Sequence, residues 1–140
     1  MAAANIDPRY SAVGDCQWGA ALTAANTAKD GTGTVTTICT ADATNGGRFE
    51  RIKVRALGTN VATVMRFFIN NGSTNTTATN NALISELTCP ATTLSEVAAL
   101  ADLEATLFMP IVLPPGYRIL CTIGTAVAAG LQPCAIGGKF

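Results

Sequence analysis

Histidine is absent from this 140-residue chain. That removes the side chain most often used to move protons near neutral pH, and with it the commonest route to acid–base catalysis. Charge is scarce as well. Asp, Glu, Lys and Arg make up 13% of the residues, against about 25% in an average soluble domain. Nine basic and nine acidic residues leave a formal net charge of zero. General nucleic-acid binding needs a positive excess and is disfavoured on that ground. A neutral, charge-poor surface also has little electrostatic protection against self-association, which suits a protein that lives in an assembly. No run approaches the ~20 apolar residues of a membrane-spanning helix. The start, from Met1 to Arg9, lacks the basic stretch and apolar block of a secretory signal. Synthesis in a reducing cytoplasm is the simplest expectation.

The five cysteines, at 16, 39, 89, 121 and 134, form no C-x-x-C pair. Without histidine, a zinc centre would need four distant thiolates or carboxylates. The odd number argues against a secreted disulfide framework, so the expectation is small, buried apolar side chains. No metal and no cofactor are expected.

What the chain does contain is short apolar runs fenced by Gly, Pro, Asn and Asp. At 140 residues the length suits one domain, able to bury roughly 68% of the surface of its unfolded form. Strands are expected near 18–23, 34–40, 49–57, 61–70, 82–89, 105–112, 117–125 and 130–136. Their spacing and β-branched content indicate an all-β sandwich of eight strands. Residues 1–17 read as an extended N-terminal arm, and 18–140 as the domain. Gly58-Thr59-Asn60 is short enough to make the third and fourth strands a hairpin. Leu113-Pro114-Pro115-Gly116 stops one strand and starts the next. Residues 70–81 are a polar Asn/Thr loop without an apolar anchor. Residues 95–104 are either one or two helical turns or an extended crossover.

Alternation assigns the faces. Ile52, Val54 and Ala56 share one side of the third strand, and Arg51, Lys53 and Arg55 the other. Val61, Met65, Phe67 and Ile69 share a side of the fourth, with Arg66 and Phe68 opposite. Tyr117, Ile119, Cys121 and Ile123 share a side of the seventh.

Catalytic groupings are weak. There is no Ser-x-x-Lys and no nucleophile elbow, and the carboxylates Glu86, Glu96, Asp102 and Glu104 read as solvated surface. Gly31-Thr32-Gly33 and Asn45-Gly46-Gly47 lack the context of a phosphate loop and read as turns. The sequons at Asn71 and Asn75 arise easily in so Asn/Thr-rich a loop and are discounted. Trp18, the single tryptophan, is the one reasonable platform for a sugar, with core packing the expectation. The most distinctive cluster is basic: Arg48, Arg51, Lys53, Arg55 and Arg66. Its two readings are a solvated sheet face and a patch for an acidic partner, with Phe68 as apolar anchor beside Arg66.

The segments Asn81-Ala-Leu-Ile-Ser-Glu-Leu, Pro90-Ala-Thr-Thr, Val112-Leu-Pro-Pro-Gly-Tyr-Arg-Ile-Leu, Ala129-Gly130 and Ala135-Ile136-Gly137-Gly138 resemble small structural proteins of tailed bacteriophages. In particular they are similar to the jelly-roll cement, or decoration, proteins of short-tailed Bordetella phages. The resemblance covers residues from about 18 to the end. It implies a non-enzymatic protein on the outer surface of an icosahedral capsid, made in the bacterial host cytoplasm. Its partners would be the major capsid protein and further copies of itself, as a dimer first and a trimer second. It carries no site residues, so the expected contacts come from the residues themselves. They are the arm residues Ile6, Pro8, Arg9 and Tyr10, and the face of Arg51, Lys53, Arg55, Arg66 and Phe68. The alternative function is a receptor- or glycan-binding jelly-roll module on a virion surface.

Overall fold

The structure is a computed structural model that describes residues 11–105 and 110–140. Nine strands run through them: β1 (Val13–Trp18), β2 (Thr36–Thr40), β3 (Gly47–Ala56), β4 (Thr63–Asn70), β5 (Asn81–Cys89), β6 (Leu103–Ala105), β7 (Ile111–Leu113), β8 (Arg118–Ile123) and β9 (Leu131–Lys139). One sheet has the order β1-β9-β3, with β6 and β7 pairing different ends of β3 along its far edge. The other has the order β2-β8-β4-β5. Every strand pair is antiparallel. The protein is an all-β sandwich, as the spacing of apolar runs implies.

The core lies between the sheets. Ile52, Val54 and Ala56 enter it from β3, Met65 and Phe67 from β4, and Ile119, Cys121 and Ile123 from β8. Each buried aliphatic or aromatic side chain contributes roughly 1.5–3 kcal/mol relative to exposure. Period-two alternation places all of them, so the faces of the third and seventh expected strands hold. Val61 does not follow its group: it precedes β4 and is exposed.

Three expectations about strands are corrected. The first strand begins at Val13, not at 18, and pairs with β9 from Val13↔Lys139 to Trp18↔Cys134. Residues 13–17 thus belong to the body, and an arm can extend no further than residue 12. Alternating apolar residues in β1 are few, which hid it. The expected strand at 105–112 is replaced by two short ones, β6 and β7, either side of residues outside the description. Finally, β3 and β4 are not a hairpin but lie in different sheets. Both edges of β3 are already taken by β9 and by β6 and β7, so the chain must cross over after Ala56. Asn60 anchors that crossing. Its side chain donates to Gly130 O at 3.0 Å and accepts from Ala129 N at 2.7 Å, which satisfies a buried amide.

Two glycines are required by close approach. A Cβ on Gly137 would sit 2.1 Å from Arg48 O, where β9 passes the irregularity in β3. Gly46 has φ +79, and a Cβ there would lie 2.5 Å from Leu113 O.

The Asn/Thr loop is an ordered polar cap. Asn75 donates to Gly31 O at 3.2 Å and Gly33 O at 2.9 Å. Asn81 donates to Asp30 O at 3.1 Å and Asn75 O at 2.9 Å. Arg118 donates to Asn70 Oδ1 through Nε at 3.1 Å and Nη2 at 2.7 Å, and also to Ser73 O. Side-chain amides here replace an apolar anchor. Residues 95–104 contain no helix. Ser95 Oγ accepts from Val97 N and Ala98 N in an exposed bend, and the chain continues extended into β6.

Candidate interaction face

The outer face of the β1-β9-β3 sheet is a grid of side chains whose rows follow from strand register. One row reads Trp18, Cys134, Lys53, Glu104, and the next reads Cys16, Ile136, Arg51. Arg55 stands opposite Gln132. The columns therefore differ in chemistry. The β1 and β9 columns carry an indole, two thiols, an isoleucine and an amide. The β3 column is cationic, and the column beyond it is acidic.

The basic cluster is thus assembled in part as expected. Arg51, Lys53 and Arg55 share the outward face of β3. Each, however, meets an in-chain carboxylate. Arg51 lies 3.6 Å from Glu104, Lys53 lies 3.9 Å from Asp102, and Arg55 is hydrogen-bonded to Asp102. That Arg55 hydrogen bond, followed by the charge of Lys53, holds the Asp102 carboxyl below its ordinary value. Exposed pairs of this kind add about 0–1 kcal/mol each. Their larger effect is to neutralise the face, so it presents alternating charge rather than a positive field.

Arg66 and Phe68 belong elsewhere. They lie on the other sheet, where Arg66 Nε donates to Glu86 Oε1 at 2.9 Å. Phe68 is correctly placed opposite the core, but it is 0% exposed and is no surface anchor. Its neighbour across the ladder, Leu120, is 1% exposed on the same side. Residues 26–34 run from one end of this sheet to the other. They start at the Ile123 end of β8, where Asn26 N bonds Ile123 O, and reach the Asn75 and Asn81 amides at the opposite end. Ile6, Pro8, Arg9 and Tyr10 lie outside the described residues.

Trp18 overturns the expectation of core packing, with 67% of its surface exposed. The cause is register. Because β1 begins at Val13, Trp18 is its last residue and falls on the outward parity with Cys16. A sequence signal existed: Cys-Gln-Trp alternates about Gln17, whose polar side chain faces the opposite way. Gln17 donates to Thr40 O at 2.9 Å and accepts from Thr40 N at 2.8 Å, closing the seam between β1 and the edge of β2.

The remaining candidates are structural. Cys39, Cys89 and Cys121 are buried, Cys134 is half-buried and Cys16 is exposed, all as free thiols. Burial pushes the Cys39 thiol up to about 12 and raises Cys89 and Cys121 too. The discounted sequons have their amide nitrogens engaged, Asn71 with Asn80 Oδ1 and Asn75 with the Gly31 and Gly33 carbonyls. Among the described residues no three His, Cys, Asp or Glu side chains gather as a metal site. Nor is any helix there long and apolar enough to cross a membrane. No family model, curated protein or solved structure matches this chain.

Proposed function

We propose that the chain is a non-enzymatic capsid cement protein with a jelly-roll fold. It would bind the outside of an icosahedral phage head and hold neighbouring major capsid protein subunits together. Strand order supports the fold. If β6 and β7 are counted as the two halves of one interrupted strand, the sheets read 1-8-3-6 and 2-7-4-5. That order folds two Greek keys into facing four-stranded sheets, which is how a jelly roll is wound.

Fold alone does not assign function. The observation that carries the reading is the bare, charge-neutralised face of the β1-β9-β3 sheet, where Trp18, Ile136 and Val112 are exposed on a rigid frame. A sheet face with an aromatic anchor and internally paired charges suits broad, repeated contact. Many copies acting together convert weak contacts into firm adhesion. Each bound copy favours the assembled shell over its parts.

The test is co-sedimentation of purified protein with expanded, empty shells, beside a native mass measurement of the free protein. Saturable binding of a homo-oligomer is expected; protein that stays in the supernatant at all ratios overturns the reading. Removing residues 2–10 should leave the fold intact and reduce occupancy. Full occupancy would remove Ile6, Pro8, Arg9 and Tyr10 from the contact.

A further inference from the structure

A tryptophan buries more apolar surface than almost any other residue and is seldom left in water. Here the one tryptophan of the chain stands on the outer face, held by backbone on both sides. Trp18 is registered on Cys134, and the following Gly19 N donates to Pro133 O at 3.1 Å. Lys53 stands directly across β9 from it, and Arg55 stands diagonally, two residues further along β3 and opposite Gln132. Cys134 and Gln132 form the floor between Trp18 and Arg55, and together the four line an open groove of about 370 Å³.

We propose that this groove binds a neutral sugar ring, a second activity on the face that the cement reading also uses. Width is the first argument. Trp18 and Arg55 rise from strands two places apart and are offset by two residues along them, hence about 12 Å between their backbones. That leaves room for one saturated ring in contact with the indole on one side and the guanidinium on the other. The volume lies near the lower end of small-ligand sites, ~300–1,000 Å³.

Charge is the second argument. The Arg55 guanidinium is already hydrogen-bonded to Asp102, which Lys53 also faces. An anion must compete with Asp102 for Arg55, and a cation meets both Arg55 and Lys53. A neutral polyol meets neither penalty. Its C–H face can stack on the indole. Its hydroxyls find the remaining guanidinium N–H groups, the Asp102 oxygens and the Gln132 amide, whose carbonyl oxygen has no partner among the described residues. A charged nucleotide or an acidic peptide suits this wall less well.

The test starts with the labelled full chain on a glycan array. The strongest-binding oligosaccharide is then titrated while indole emission is followed, which reports Trp18 alone. A saturable change in emission is expected. Variant affinities are read by isothermal titration calorimetry, since the Trp18 variants carry no indole: Trp18→Ala should weaken binding at least about tenfold, Trp18→Phe should restore most of it, and Gln132→Ala should weaken it about threefold. Trp18 is exposed, so these variants should fold, which circular dichroism checks. Three results overturn the proposal: no saccharide bound, a bound saccharide that leaves the emission unchanged, or Trp18→Ala binding as well as the parent. Shell occupancy of the same variants is measured in parallel. If Trp18→Ala loses shells and the parent binds no sugar, the groove is a protein contact; the sugar proposal falls while the cement reading stands.

Discussion

The two sheets treat their outer faces in opposite ways. The β2-β8-β4-β5 sheet buries Phe68, Leu120, Thr122 and Asn70 on the side away from the core. The β1-β9-β3 sheet leaves Trp18, Cys16, Ile136 and a ladder of paired charges in solvent. The first face does structural work inside the molecule, so its residues should govern stability. The second contributes little to stability, and it is the face on which the proposed contacts are placed.

The sharpest way to break that contrast is truncation of each face in turn. Phe68→Ala should lower unfolding free energy by about 3–5 kcal/mol through cavity formation, read from denaturant midpoints. A loss under 1 kcal/mol would mean that the covered face is not a second core. Next is Asn70→Ala. It strips the acceptor from Arg118 and from Gly72 N, and the partner of Asn81 Oδ1, and should lose about 1–3 kcal/mol. An unchanged midpoint would show the polar cap to be ornamental. Reversing Arg51 or Lys53 to Glu should shift stability by no more than about 1 kcal/mol. Under the cement reading it also weakens shell binding and steepens its salt dependence. Equal binding across a salt series removes this ladder from the interface. The smallest effect belongs to Trp18→Ala, within about 0.5 kcal/mol of the parent. A larger loss would place Trp18 in the fold rather than on its surface.

Thiol chemistry and pH sharpen the same division. In the native protein Cys16 should react quickly with a disulfide reagent, while Cys39, Cys89 and Cys121 stay silent until denaturant is added. Cys39 is pushed up to about 12 from 9.0, so the folded state keeps its proton where the unfolded chain loses it. That contribution is complete below about pH 9 and fades as pH rises towards 12. At the acid end, Asp102 is lowered by Arg55 and Lys53, and Asp30 and Asp42 by hydrogen bonds from their own turns. These add stability above the ordinary carboxylate value of 3.8 that is lost as pH falls below it. Thermal melts across pH should therefore show a plateau between the two limits. A maximum outside it would contradict the assignments.

The legible part of the fold was whatever depends on near neighbours. Ile52, Val54 and Ala56 against Arg51, Lys53 and Arg55 is a period-two pattern, and the pleat converts it directly into two faces. The turn at Leu113-Pro114-Pro115-Gly116 is written in residues that cannot pair or must take positive φ, as Gly116 does at +75. Trp18 and Phe68 depart from expectation for different reasons. The start of β1 at Val13 sets the parity of Trp18, whereas for Phe68 parity names a side of the strand but not whether something lies on that side. The β3 to β4 crossing was missed because it depends on β9, some 75 residues later in the chain, having already occupied the edge of β3 where a hairpin partner would sit.

The sequence by itself determined the class of the molecule: a neutral, histidine-free β chain whose core-facing residues follow from alternation. Those properties are local or additive, so they survive without coordinates. Only the tertiary structure decided which strands share a sheet and which outer face is covered by the chain. It alone brought Glu104 and Asp102 beside the basic column and set Trp18 across a groove from Arg55. Each of these is a meeting of residues distant in the chain, and the register that creates it comes from packing the whole.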